Sequence, residues 1–405
     1  MGDLTTVEFA GKWVYERQTM ADLIIDRKYY NTLDIEGFSK MMNSPSYCYK
    51  FYWLEAIVQL ISANKTEATY DEIINKMISN AWYPVLEYHI HLSGIYGEGV
   101  IKDNLEKAVL RLEKLSQLPN NADEIQIINK LHELSEDKEL SAYKKELTKN
   151  VPYKSLSGFA NRGTEKINLD SSAGRMMAYY NRLSQSEILL PYTFNDEKGL
   201  KRVLTFHDSW VQMIRDNTVN ILGWIQFEKI KWLQNNNPEV PGLVYKLAPA
   251  DEKMRKLLNA RKLWDAVMEV APIKDVFKGE PIDTEKYELD HFIPWSFVMN
   301  DELWNLMPMD SSWNSKKSNK LPKWESFFDK FADNQLILYE QLYEKPGIHK
   351  LYEACYRDNL HSIWANQELY RKGNSREEFY TILNKNMRPV YDSARRQGYE
   401  IWNLG

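Results

Sequence analysis

The sequence predicts a predominantly α protein with one small mixed element of strand, loop, strand and helix in its C-terminal half. Long stretches repeat apolar residues at the roughly 3.6-residue period that buries one helix face. Strand-like patterning is concentrated in a short stretch near residue 290. Proline- and glycine-bearing breaks stand at Val151-Pro152, in NNNPEVPG from Asn235 to Gly242, at Lys345-Pro346-Gly347 and at Gly373-Asn374. The 405 residues suffice for two or three domains. The expected division is a helical domain at 1–150, a mostly helical middle region at 151–245, a domain holding the mixed element at 246–335 and a helical segment at 336–405.

The elements follow in order. Ser46 to Ile61, SYCYKFYWLEAIVQLI, is apolar at helical spacing, and Tyr70 to Ile90 is similar. Asp103 to Leu118 opens on a capping aspartate and is amphipathic. Ala122 to Leu147 is helical with a charged face, and 151–166 reads as loop or short strands. Helices are expected again over Ser172–Ser184, Leu200–Asn235 and Pro249–Val270, and after Pro322. Gly94 to Val100, GIYGEGV, lacks the Lys-Ser/Thr of a phosphate loop and reads as a turn. His89 and His91 would share a strand face, but no third ligand is near.

Composition narrows the classes. At 43% hydrophobic and 27% charged, the chain is an ordinary globular one. The only cysteines, Cys48 and Cys355, lie far apart, which excludes a disulfide framework and a cysteine-built zinc site. Reduced thiols fit a cytoplasmic protein. The start, MGDLTTVEFAG, lacks the basic and apolar regions of a signal peptide, and no apolar run approaches the ~20 residues of a membrane helix. A net charge of −5 argues against a general nucleic-acid coat but leaves room for a local basic patch. The 13 Trp and 25 Tyr read chiefly as core and interface rings.

The chemistry sits in 277–322, FKGEPIDTEKYELDHFIPWSFVMNDELWNLMPMDSSWNSKKSNKLP. Tyr287 to Ile293 alternates as a short strand stopped by Pro294. SFVMNDEL is a loop, Trp304 to Met307 a second strand ended by Pro308, and Asp310-Ser311-Ser312 offers N-caps for a short helix over Trp313–Ser318. This order gathers Asp290 and His291 from the first strand and Asn314 from the helix. A hard divalent cation takes oxygen ligands, which Asp290 and the Asn314 amide supply. His291 lies on the other strand face. An imidazole, with an ordinary pKa of about 6.5, suits a general base that takes a proton from water. Asn305 is read as holding the loop, or as orienting the imidazole through a backbone carbonyl. Lys316, Lys317, Lys320 and Lys323 form an acid-free basic run suited to a phosphodiester backbone.

These residues resemble the HNH (ββα-metal) endonuclease superfamily, with Asp290, His291, Asn305 and Asn314 filling its ordered positions. DHFIPWSF and NSKKSNKLP are similar to the HNH module of RNA-guided DNA nucleases. The parts D-H-F-I-P-W-S, W-N-L and N-S-K-K-S are similar to standalone bacterial HNH proteins, many with restriction or anti-phage roles. The match covers roughly 45 residues. It implies an α protein with an embedded ββα-metal module, catalysis by His291 with Asn305, a metal (Mg²⁺ or Mn²⁺) on Asp290 and Asn314, and DNA contacts from Lys316, Lys317 and Lys320. Many family members carry C-x-x-C pairs that bind a structural zinc. Here the corresponding place, Asp275 to Glu280, has no cysteine, so no structural zinc is expected and Phe277, Trp295, Phe297, Trp304 and Trp313 are expected to brace the module.

The resemblance implies a DNA endonuclease whose residues 1–150 sense a target or a regulatory protein. A single such site cuts one strand at a time, so a homodimer is expected. The alternatives are a toxin-like effector released by a signal, and a non-cleaving binding module on the same fold. The intact Asp290, His291 and Asn314 set argues against the last. No membrane association is expected.

Overall fold

The computed structural model describes residues 23–403, except 44, 95–100, 102 and 248–254. The N-terminal stretch read for a leader, nearly all of the turn expected at Gly94–Val100 and the first residues of the helix expected from Pro249 lie outside the described residues. The buried apolar side chains form two clusters. One runs from Ile25 to Leu243 and includes Met299, and the other runs from Ala260 to Trp402. The first spans the regions expected at 1–150 and 151–245, the second those expected at 246–335 and 336–405.

The first cluster is built on α1 (Ile35–Ser39), α2 (Tyr49–Ser62), α3 (Tyr70–Tyr88), α4 (Asn104–Ser116), α5 (Glu124–Glu133) and α6 (Lys138–Thr148). Helix α2 buries Phe51 through Val58 without interruption, as a helix apolar all round must. A capping box starts α3: Thr69 Oγ1 accepts from the Glu72 amide and Glu72 returns the bond to the Thr69 amide. Asp103 caps α4 through the Leu105 and Glu106 amides. The single helix expected over 122–147 is two. Asp137 turns its carboxylate onto the Leu140 amide at 2.8 Å and begins a new helix.

Two expectations change between 151 and 236. In place of loop or strands at 151–166 there is a helical turn, α7 (Val151–Lys154), followed by a tight 3₁₀ turn at Ser155–Phe159. Pro152 sits in the first turn of α7, where its missing N–H costs nothing. After α8 (Ala173–Ser186), the helix expected from Leu200 is replaced by a strand and two helices, α9 (Asp208–Asp216) and α10 (Thr218–Asn236). The strands β1 (Glu67–Thr69), β2 (Tyr192–Phe194) and β3 (Val203–Phe206) form an antiparallel sheet in the order β1-β3-β2. Val203 to Phe206 alternates in burial, and this local period of two overrides the longer helical pattern. A fully buried ion pair, Lys229 Nζ to Glu55 Oε2 at 2.8 Å, ties α10 to α2.

A 3₁₀ turn at Leu243–Lys246 leads towards the second cluster. Lys246 is fully buried, donates to the Phe297 carbonyl, and lies 5.7 Å from the Tyr88 ring centre. Burial pushes its ammonium down to about 7. Between that value and the ordinary lysine range the unfolded chain binds a proton that the folded chain does not, so this group makes stability rise with pH there. Lys246→Met removes the effect. The stability advantage of the variant over wild type is expected to shrink by about 2 kcal/mol from pH 7 to pH 9 in denaturant titrations. A pH-independent difference would refute this.

The second cluster gathers α11 (Leu258–Val270), β4 (Tyr287–His291), α12 (Trp295–Val298), β5 (Leu306–Asp310), α13 (Ser311–Lys317), α14 (Trp324–Glu344), α15 (Pro346–Asn359) and α16 (Arg376–Arg396). Strands β4 and β5 pair antiparallel, with Asp290 opposite Met307 and His291 opposite Leu306. The second strand therefore begins later than expected and runs through Pro308. In a two-stranded sheet the missing proline N–H can face outward, away from the ladder. The parallel pair β6 (Leu321–Pro322) and β7 (Ile401–Trp402) brings the chain end back beside the module. Phe277 packs against Phe327 and Trp402, Trp313 against Trp402, Phe297 against Tyr399 and Trp304 against Trp364. Trp295 instead packs at the edge of the first cluster. No helix among the described residues is long and apolar enough to cross a membrane.

Candidate active site

The strand period sorts the site. Along β4, Tyr287, Leu289 and His291 turn inward, while Glu288 and Asp290 share the opposite, more exposed face. Helix α13 lies over that face. Asp310 starts it by accepting from the Ser312 and Trp313 amides. The Ser312 hydroxyl and then Lys278, 2.9 Å away, hold the Asp310 carboxyl well below the usual carboxylate range. One helical turn separates Asn314 from Lys317, so both reach towards β4.

Lys317 is fully buried, and its ammonium donates to Asp290 Oδ2 and to the His291 carbonyl, each at 2.8 Å. It is thus internal, where the sequence led us to expect a phosphate contact. The Asn314 amide nitrogen donates to Glu288 Oε2, which leaves the amide oxygen as its ligand atom. Lys316 and Lys320 are exposed. Lys316 lies 5.7 Å from the Trp313 ring centre.

His291 is fully buried. Its Nε2 is 3.1 Å from the Asn300 carbonyl and 3.1 Å from Asp301 Oδ1. The Asn300 carbonyl can only accept, so Nε2 is the nitrogen that donates, with the Asp301 carboxylate as a charge beside it. That bond leaves Nδ1 as the acceptor, and among the described residues it has no partner. Burial pushes the Asp301 carboxyl up, but contact with His291, the Lys256 amide and Arg255 outweighs this and holds it below its usual value. Asn305 closes the far side of the loop. Its side chain accepts from the Ile293 amide at 2.8 Å and donates to the Ile293 carbonyl at 2.9 Å, while its own carbonyl accepts from Phe292. It touches the backbone just beyond His291 and not the imidazole.

The structure therefore brings Asp290, His291, Asn305, Asn314 and Lys317 together. Three further residues belong to the constellation. Glu288 was not singled out in the sequence, although its place two residues before Asp290 on a strand puts both on one face. Asp301 comes from the loop, where no periodicity marks it. Asp275 accepts from the Phe277 and Lys278 amides and, through its other oxygen, from the Asp310 amide, each at 2.9 Å. It links the 275–279 turn to the start of α13. Asp275→Ala, at a site 2% exposed, is expected to cost about 3 kcal/mol, because three amides lose a charged acceptor at once. Denaturant unfolding measures this, and a loss under about 1 kcal/mol would remove Asp275 as a brace.

The oxygen donors Asp290, Asn314 and Glu288 suit a hard divalent cation that keeps several waters. Among the described residues no group of three His, Cys, Asp or Glu is gathered closely enough to hold a metal. Residues 275–323 match the family described as HNH endonuclease, and this part of the chain is an HNH endonuclease domain. Neither the curated proteins nor the solved structures include a match to the chain.

Proposed function

From this HNH endonuclease domain we propose that the chain is a metal-dependent endonuclease that hydrolyses phosphodiester bonds of DNA, with a role in bacterial restriction or anti-phage defence. The observation that carries the reading is the unpartnered Nδ1 of His291, one residue along from the Asp290–Asn314 oxygen pair on the adjoining strand face. Nδ1 takes the proton of the attacking water, and the Asn300 carbonyl keeps Nε2 protonated meanwhile. Asp301 stabilises the imidazolium that results. Asn305 fixes the turn that follows His291, and Lys317 fixes the His291 carbonyl and the Asp290 carboxylate. Asp290 and Asn314, with Glu288 beside them, would hold Mg²⁺ or Mn²⁺, which stabilises charge on the phosphate and the leaving oxygen when bound. Lys316 and Lys320 meet the DNA backbone from the exposed side of α13 and its end.

The burial of His291 favours a regulated form of this reading, in which residues 1–150 report a target or partner and the loop carrying Asn300 and Asp301 opens. Cleavage of end-labelled duplex DNA, single-stranded DNA and RNA with Mg²⁺ tests the substrate. Cutting of DNA and not RNA is expected. RNA cut at the same rate as DNA contradicts the assignment.

A further inference from the structure

A pocket lies outside the nuclease domain. A cavity of about 530 Å³ in the N-terminal half is lined by Tyr47, Tyr49, Lys50, Asn104, Lys154 and Ser157, among others, and by no residue of 275–323. That volume falls in the range of small-molecule sites, roughly 300–1,000 Å³. Lys50 stands on the first turn of α2 and Lys154 on the last of α7. The Lys50 ammonium donates to the Asn43 carbonyl at 3.0 Å and to Ser157 Oγ at 2.9 Å, both neutral acceptors. Among the described residues no carboxylate pairs with it. Among the described residues the one ion-pair contact of Lys154 is long, 3.8 Å to Asp170, whose side chain is 87% exposed. The acid in the cavity wall, Glu146, is already engaged by Lys149. Burial, and then Lys154, pushes the Lys50 ammonium down to about 8. Two converging cations in a recess are costly without an anion to face them.

The mouth adds a second feature. Tyr47 stacks on Tyr49 with ring centres 5.1 Å apart and planes at 11°. Tyr47 remains 41% exposed and Leu169 38%, a flat apolar lip beside the charged recess. Cys48 caps α2 with no side-chain bond, so first-turn amides add to the positive field.

We propose that this cavity binds a phosphoryl anion, carried by a mononucleotide-sized molecule or free, with the phosphate between Lys50 and Lys154 and any ring against Tyr47. This goes beyond the nuclease reading and does not depend on it. Isothermal titration of the full chain in EDTA, which strips divalent metal from the nuclease site, tests it with AMP, adenosine and inorganic phosphate. AMP is expected to bind with a Kd below about 1 mM, and adenosine at least tenfold more weakly. Lys50→Gln and the half-exposed Lys154→Gln should each weaken AMP at least tenfold. Phosphate binding as tightly as AMP would identify the free anion as the ligand. Lack of binding by both AMP and phosphate at about 10 mM, or affinity unchanged in both folded variants, overturns the proposal.

Discussion

His291→Ala is expected to lower single-turnover cleavage of DNA by about 10²–10⁴-fold, the usual worth of a positioned general base. The geometry makes this the largest effect on rate. Nε2 donates to the Asn300 carbonyl, Nδ1 has no partner among the described residues and is the base in the proposed reaction, and no other histidine belongs to the domain matched at 275–323. The ring is fully buried, so its loss also leaves a cavity and some stability goes with it. Rates are therefore compared below the melting range of the variant, with circular dichroism confirming the fold. A folded His291→Ala protein that cuts at the wild-type rate would show that the proton goes elsewhere.

Lys317→Met is expected to have the largest combined effect. Methionine fills similar space, but the substitution removes the two bonds that Lys317 makes from α13 to β4, at Asp290 Oδ2 and the His291 carbonyl, and leaves the Asn314–Glu288 bond in place. The Asp290 side chain, 16% exposed, then loses its counter-charge. Removing one partner of such a pair costs about 3 kcal/mol. Cleavage should fall by at least about tenfold as Asp290 and His291 lose their fixed spacing. The salt dependence of DNA binding should stay as in wild type, because a buried lysine displaces no counterions, whereas Lys316→Ala and Lys320→Ala should flatten it. If Lys317→Met flattens the salt slope and leaves stability intact, Lys317 touches phosphate after all.

How the site was legible follows from the same residues. Asp290, His291, Asn305 and Asn314 appear in the sequence as an ordered set inside a short stretch punctuated by prolines, and local order needs no tertiary knowledge. Lys317 was visible as a charge but not as a buried one. Its burial depends on α13 lying against β4, which sequence spacing does not reveal. Asp301 reaches His291 from an irregular loop, and no period links the two. The same limit explains the fold. The strong helices α2, α3 and α4 were readable from apolar spacing and caps. Val203 to Phe206 was lost inside a helical pattern because four residues carry little periodic signal, and its strand forms through partners at Glu67 and Tyr192, distant in sequence. The cavity beside Lys50 joins α2 to α7, separated by about 100 residues, and no local motif announces it.

Nicking of supercoiled plasmid across a Mg²⁺ titration, with EDTA and a folded Asp290→Ala variant beside wild type, decides whether the protein is a metal-dependent nuclease centred on Asp290 and His291. Nicked product that rises with Mg²⁺, vanishes in EDTA and is lost or shifted to much higher metal concentration in Asp290→Ala is the predicted result. Cleavage that persists in EDTA, or that is the same in wild type and Asp290→Ala at every metal concentration, would contradict it.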